Sequence, residues 1–334
     1  MKLLRPQHRP ARRRDARAAD GAYGVSDRPD WRDVDWAAHL RTIEIGGTPI
    51  NYVDVGEQDD RRPIVFVHGL SGQWQNWLEN IPRFAEQRRV VALDLPGFGR
   101  SPMPRERITI DYYGRVVAEL CGRLGLAPAV LVGNSMGGYV AAETAIDAPE
   151  VVERLVLTSA AGISQGELPL GQVRWGAKAL ALAIRATGPQ RRRYAARPAF
   201  RHWMLSTIVR HPTRLRPDTA FEGLLKGSGK PGFMDALIAC LDYDFRDSLP
   251  RIGCPVLVVW GREDAIIPVR DADVFVELIP GSRKVVMEDT GHVAMIERPV
   301  AFNDELERFL AQEVVAGELE QTRAPVSVAG DRVV

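Results

Sequence analysis

The sequence predicts an α/β fold: a mostly parallel central sheet flanked by helices, with a helical insertion after the sixth strand. Three observations predict it. From Ile64 onward, short continuous apolar runs alternate with helical stretches, the pattern of parallel strands buried on both faces. That alternation stops between Gly162 and Pro250 and resumes at Pro255. Between two of the runs, Gly133-Asn134-Ser135-Met136-Gly137 sits where a strand turns sharply into a helix.

Composition bounds the class. The 334 residues are 45% hydrophobic and 26% charged, which suits a soluble globular protein with a full core. A net charge of +1 gives no general attraction to nucleic acid. Three cysteines, Cys121, Cys240 and Cys254, form neither a disulfide framework nor a zinc pattern, so reduced thiols in a cytoplasmic protein are expected. No run approaches the roughly 18 apolar residues of a membrane span. The basic stretch Met1–Arg17 lacks the apolar segment of a signal peptide.

In chain order, residues 1–30 read as a flexible basic arm. Trp31, Val34, Trp36 and Leu40 supply the first apolar anchors. Arg41–Ile45 and Ile50–Val55 alternate apolar and polar residues around Gly46-Gly47-Thr48-Pro49. They predict an antiparallel hairpin with a turn slightly longer than the tightest kind. Ile64–Val67 and Val90–Leu93 are buried strands. The first ends in His68-Gly69-Leu70-Ser71-Gly72, the second in the Gly- and Pro-rich loop Asp94–Ser101. Tyr112–Leu124 is helical, with Val116, Val117, Leu120 and Leu124 on one face. Ala129–Val132 is the next strand, Tyr139–Ile146 its helix, and Leu155–Thr158 the sixth strand. After the insertion come the strands Val256–Val259 and Lys284–Met287 and a last helix, Val300–Leu310. The core thus takes 31–161 and 251–312, the helical cap 162–250, and a loose tail 313–334.

A serine hydroxyl needs a base to remove its proton, and the base is usually a histidine held by a carboxylate. With Ser135 at a strand–helix elbow, the partners should follow in the order acid, then histidine, each just after a strand. Asp264 follows Val256–Val259, with Glu263 as its neighbouring competitor. His292 follows Val285–Met287. His68 precedes Ser135 in the chain and is read as ordering its own loop. The tetrahedral oxyanion needs N–H donors. The elbow offers Met136, and the loop after Ile64–Val67 offers Leu70, with Ser71 as the alternative.

On these residues the chain resembles the α/β-hydrolase fold. The matching motifs are His68-Gly69, Asp94–Ser101, Gly133–Gly138, Trp260–Asp264 and Gly291-His292. The resemblance implies Ser135 as nucleophile, His292 as base, Asp264 as orienting acid, and Leu70 and Met136 as oxyanion donors. It implies an esterase or lipase acting on a small-molecule ester, without cofactor or metal. The Gly133–Gly138 form, with Ala160–Ile163, also resembles the meta-cleavage-product hydrolases, which cleave a carbon–carbon bond beside a ketone. Many of those carry Trp after the catalytic His, where this chain has Val293. Perhydrolase chemistry and a ligand receptor with little turnover are the remaining alternatives on this fold.

The insertion is lopsided in charge. Gly171–Lys230 holds 13 Lys and Arg against two acids, Asp218 and Glu222. Arg174, Lys178 and Arg185 alternate with Val173, Trp175, Leu180, Leu182 and Ile184, a basic amphipathic pattern that fits an anionic membrane surface. Phe200, Trp203, Met204, Leu205, Ile208, Phe233, Met234, Leu237 and Ile238 are candidates for an apolar acyl pocket or for the cap's own core.

Overall fold

The computed structural model describes residues 20–57, 59, 61–164 and 188–312. The arm's residues 1–19, the basic amphipathic stretch around Trp175 and the tail 313–334 lie outside them. Eight strands form one sheet: β1 (Leu40–Ile45), β2 (Thr48–Val55), β3 (Ile64–Val67), β4 (Val90–Leu93), β5 (Ala129–Asn134), β6 (Val152–Thr158), β7 (Val256–Gly261) and β8 (Arg283–Met287). Their spatial order is β1-β2-β4-β3-β5-β6-β7-β8. β1 pairs antiparallel with β2, and β2 antiparallel with β4; every later pairing is parallel. The carboxyl ends of the parallel strands therefore share one edge, the edge where open α/β sheets bind ligands.

The strands alternate side chains between two packed layers. Val65, Val67, Leu131, Leu155, Leu157 and Val258 face the helices Ile110–Arg123, Met136–Asp147 and Arg270–Leu278. Phe66, Val130, Val132, Val156 and Leu257 face Trp77, Ile81, Phe84, Phe302 and Leu306. Continuous apolar runs are what a sheet covered on both faces requires.

Two expectations are corrected. The hairpin turn is the tight two-residue kind, with Gly46 at φ +55° and Gly47 at φ +74°. Thr48 and Pro49 join β2 instead of the turn. Ile45 and Thr48 close the hairpin, so Pro49 falls opposite Glu44 in a pair that exchanges no ladder bonds, and its missing N–H costs nothing there. Second, residues 20–30 do not belong to an arm. Tyr23 is buried, Gly24 N–H donates to the Glu297 carbonyl at 2.8 Å, and Asp27 accepts from Arg83 at 2.8 Å and Asn303 at 2.9 Å. One buried aromatic anchors the segment.

Between β6 and β7, the described residues of the insertion contain helices and turns but no strand. Ala195, Leu205, Val209, Leu215, Ala220 and Leu225 pack into the Trp77 layer. Ala236, Ala239, Cys240, Phe245 and Leu249 pack into the opposite one. Phe200, Met204 and Ile208 also lie against the core, whereas Trp203 is 62% exposed. Phe233, Met234, Leu237 and Ile238 are half-buried.

A buried acid joins the insertion to the helix that follows Ser135. Glu143 Oε1 accepts from the Tyr243 hydroxyl at 2.7 Å, and Tyr139 O–H donates to the Tyr243 carbonyl at 2.5 Å. Burial pushes the Glu143 carboxyl from 4.5 up to about 7. The folded chain thus keeps a proton that the unfolded chain releases above 4.5. The associated stability is full below pH 4.5 and is lost as pH rises through 7, by about 1–3 kcal/mol. Glu143→Gln keeps the acceptor and removes the titration. Thermal melts from pH 5 to 8 should show a wild-type Tm that falls relative to a flatter E143Q curve; parallel curves would contradict this.

Candidate active site

Ser135 occupies the turn between β5 and the helix Met136–Asp147, with φ +56° and ψ −120°. A non-glycine residue there is strained by about 1–3 kcal/mol and must be held. Its N–H donates to the Thr158 carbonyl at 3.0 Å, and its carbonyl accepts from Gly138, Tyr139 and Ala161 at 3.0–3.2 Å. The glycines make the turn sterically feasible. A Cβ on Gly133 would lie 2.2 Å from the Gly137 carbonyl oxygen, and one on Gly137 would lie 2.1 Å from that of Val67.

At the neighbouring strand ends, His292 Nδ1 lies 2.8 Å from Asp264 Oδ2. The other oxygen, Oδ1, accepts from the N–H of Ile266 at 2.8 Å and of Ile267 at 2.9 Å. Both side chains are buried, Asp264 to 1% exposure. The two backbone donors hold Oδ1 in place and leave Oδ2 for the imidazole. Glu263, the competitor, points elsewhere: its Oε2 accepts from Thr290 N–H at 2.9 Å and so holds the backbone of the His292 loop. The adjacent acids divide two tasks that sequence order alone leaves open.

The loop after β3 passes directly beside the serine. A Cβ on Gly69 would lie 3.0 Å from Ser135 Cβ. Gly72 N–H closes a turn onto the Gly69 carbonyl at 2.9 Å, with Ser71 left-handed at φ +64°. Neither Leu70 nor Met136 has an acceptor for its N–H among the described residues. His68 is fully buried behind this loop. Its Nδ1 donates to the Gly69 carbonyl at 2.8 Å, and its Nε2 accepts from Leu95 N–H at 3.0 Å. Burial lowers its pKa, so it is a neutral brace between two loops. Asp94 accepts from Trp74 N–H, Arg100 N–H and Asn51 Nδ2, each at 2.8 Å, and fixes the far end of the same loop.

The family model for the alpha/beta hydrolase fold matches residues 62–299. The chain belongs to this family. Within it, the chain is similar to the dihydrolipoyllysine-residue acetyltransferase component of the acetoin cleaving system of Pseudomonas putida, with 34% identity over 276 residues, 80% of this chain and 68% of the relative. It is also similar to a 2-hydroxy-6-oxo-2,4-heptadienoate hydrolase of Pseudomonas putida, with 31% identity over 82% of this chain and 96% of the relative. Among solved structures, a thermophilic esterase from Thermogutta terrifontis is 27% identical with a TM-score of 0.64, covering 81% of this chain and 96% of that one.

Two further site residues of this α/β hydrolase escape sequence reasoning. Asn134 Nδ2 donates to the Thr158 carbonyl at 3.1 Å and to the His292 carbonyl at 3.3 Å, which ties the serine turn to the histidine loop. Glu297 accepts from the N–H groups on both sides of His292. Its readable signal is an acid placed to reach back over the start of its own short helix, Ala294–Glu297. Burial pushes all three thiols, Cys121, Cys240 and Cys254, up to about 12 and leaves them poor nucleophiles. Among the described residues no group of three or more His, Cys, Asp or Glu could hold a metal ion.

Proposed function

We propose that the protein is a serine hydrolase that cleaves a carboxylic ester through an acyl-enzyme on Ser135. The observation that carries this reading is the 2.8 Å bond from His292 to a buried Asp264, beside a strained serine turn. Ser135 Oγ attacks the ester carbonyl while His292 takes its proton at Nε2. Asp264 holds the Nδ1–H tautomer and steadies the imidazolium. The free N–H groups of Met136 and Leu70, with Ser71 as the alternative donor, meet the oxyanion. His292 then protonates the leaving alcohol and activates the water that releases the acid. The helical insertion is the cap, and half-buried Phe233, Met234, Leu237 and Ile238 are its candidates for an apolar acyl wall.

Hydrolysis of nitrophenyl esters from acetate to palmitate tests this: multiple turnovers are expected, with a chain-length optimum set by the cap. No turnover by folded protein would overturn it. The likeness to the heptadienoate hydrolase favours a second reading, carbon–carbon cleavage beside a ketone. Val293, buried where many such hydrolases carry Trp, favours the ester.

Exposed Arg192, Arg193 and Arg197 near exposed Trp203 support an anionic membrane surface as partner of the cap. Flotation should enrich the protein on anionic over neutral vesicles. Equal partitioning would remove this partner. Among the described residues no helix is long and apolar enough to cross a membrane.

A further inference from the structure

Glu297 is fully buried, yet the reaction written above gives it no part. Its carboxylate gathers donors from three separated stretches of chain. Oε2 accepts from the Tyr23 hydroxyl in residues 20–24, from Arg210 N–H in the cap at 2.8 Å, and from Gly291 N–H at 3.1 Å. Oε1 accepts from Val293 N–H at 3.3 Å. The last two residues flank His292. The cap adds a direct hold, since His292 N–H donates to the Ile208 carbonyl at 2.8 Å. The packing here is tight: a Cβ on Gly291 would lie 2.8 Å from the Ile208 oxygen and 2.9 Å from Glu297 Oε1.

A second tie runs parallel to the first. Asp289, in the same loop and left-handed at φ +50°, accepts from His211 Nε2 at 2.8 Å and from Arg210 Nε at 3.2 Å. His211 N–H in turn donates to the Tyr23 hydroxyl at 2.9 Å, and the two rings meet edge-on at 5.0 Å. The loop that carries His292 is therefore set by the cap and by residues 20–24, not by the sheet alone.

We infer that Glu297 is the positioning residue for His292: its carboxylate grips the backbone on both sides of the imidazole and, through Tyr23 and Arg210, couples residues 20–24 and the cap to the base. All four partners donate, so only an acceptor at both oxygens satisfies them. An amide at this position turns one terminal atom into a donor facing an N–H, an unmet pair in a buried site. The imidazole then loses its fixed aim at Asp264 on one side and at the serine on the other. Small misplacements of this kind cost about 10²-fold in rate.

This inference rests on the Ser135–His292–Asp264 reading, and its test separates the two. Full-length wild type, Glu297→Gln, Tyr23→Phe and Ser135→Ala are compared in ester hydrolysis, with kcat expressed per site titrated by the acyl-enzyme burst, so that misfolded protein does not count. Proton NMR follows the far-downfield Nδ1–H of His292 in its bond to Asp264. E297Q should lose about 10²-fold in kcat with KM unchanged, and its downfield resonance should move or broaden. Y23F, which removes one of four donors, should show a smaller loss in the same direction. Wild-type kcat and an unmoved resonance in folded E297Q would overturn the inference. If E297Q does not fold, the same result in Y23F overturns it. Full turnover by S135A would instead sink the nucleophile assignment itself, whereas inactive S135A beside fully active E297Q and Y23F sinks only the role of Glu297.

Discussion

Ser135→Ala should lower kcat on any ester substrate by about 10⁴- to 10⁶-fold, with circular dichroism and Tm unchanged. The size follows from chemistry: alanine has no oxygen to acylate, and what remains is catalysis by binding and by the oxyanion donors. No neighbouring thiol can take over, because burial holds all three at about 12. The fold should survive because alanine also carries a Cβ, so it meets φ +56° at a similar cost. The backbone bonds to Thr158, Gly138, Tyr139 and Ala161 stay in place. Steady-state hydrolysis beside a thermal melt checks both halves. Retained turnover would remove Ser135 from the mechanism.

Asp264→Asn should cost about 10⁴-fold in kcat with little change in KM. The asparagine can keep the two backbone donors, Ile266 and Ile267, on its remaining oxygen. Its NH₂ then faces His292 Nδ1 and forces the tautomer with the proton on Nε2, which cannot accept from serine. Glu263→Gln is the matched control. It disturbs one bond, the one from Thr290 N–H, and should cost far less. A 10⁴-fold loss in E263Q with an active D264N would reverse the assignment of the acid.

The sheet is legible in the sequence because its strands are covered on both faces, which leaves unbroken apolar runs such as Ile64–Val67 and Val90–Leu93. The hairpin turn is less so. Pro49 looks like turn chemistry, and only the pairing register shows that its missing N–H falls outside the ladder. The serine turn is legible because its glycines are forced by backbone contacts near 2 Å, which no other residue meets. Order along the chain points to an acid near 264 but cannot separate Glu263 from Asp264, since adjacent residues differ only in where each side chain turns. Asn134 and Tyr23 are illegible for another reason. They act on groups far away in the chain, and nothing in their own neighbourhood records those partners. Glu297 is legible only in its short reach back to Gly291 and Val293; its bonds to Tyr23 and Arg210 leave no local trace. The packing of residues 20–30 hides in the same way: the basic run that precedes them colours the whole stretch, and Tyr23 is their lone buried apolar anchor.

The acyl-enzyme is the centre of this account, and mass spectrometry tests it most directly. The protein is mixed with a nitrophenyl ester, quenched in acid within the burst phase, and weighed intact and after digestion. The account predicts a gain of one acyl group per chain, carried by the peptide that contains Ser135 and absent from S135A. Turnover by a chain that never gains mass, or an acyl group carried on another residue, would contradict it.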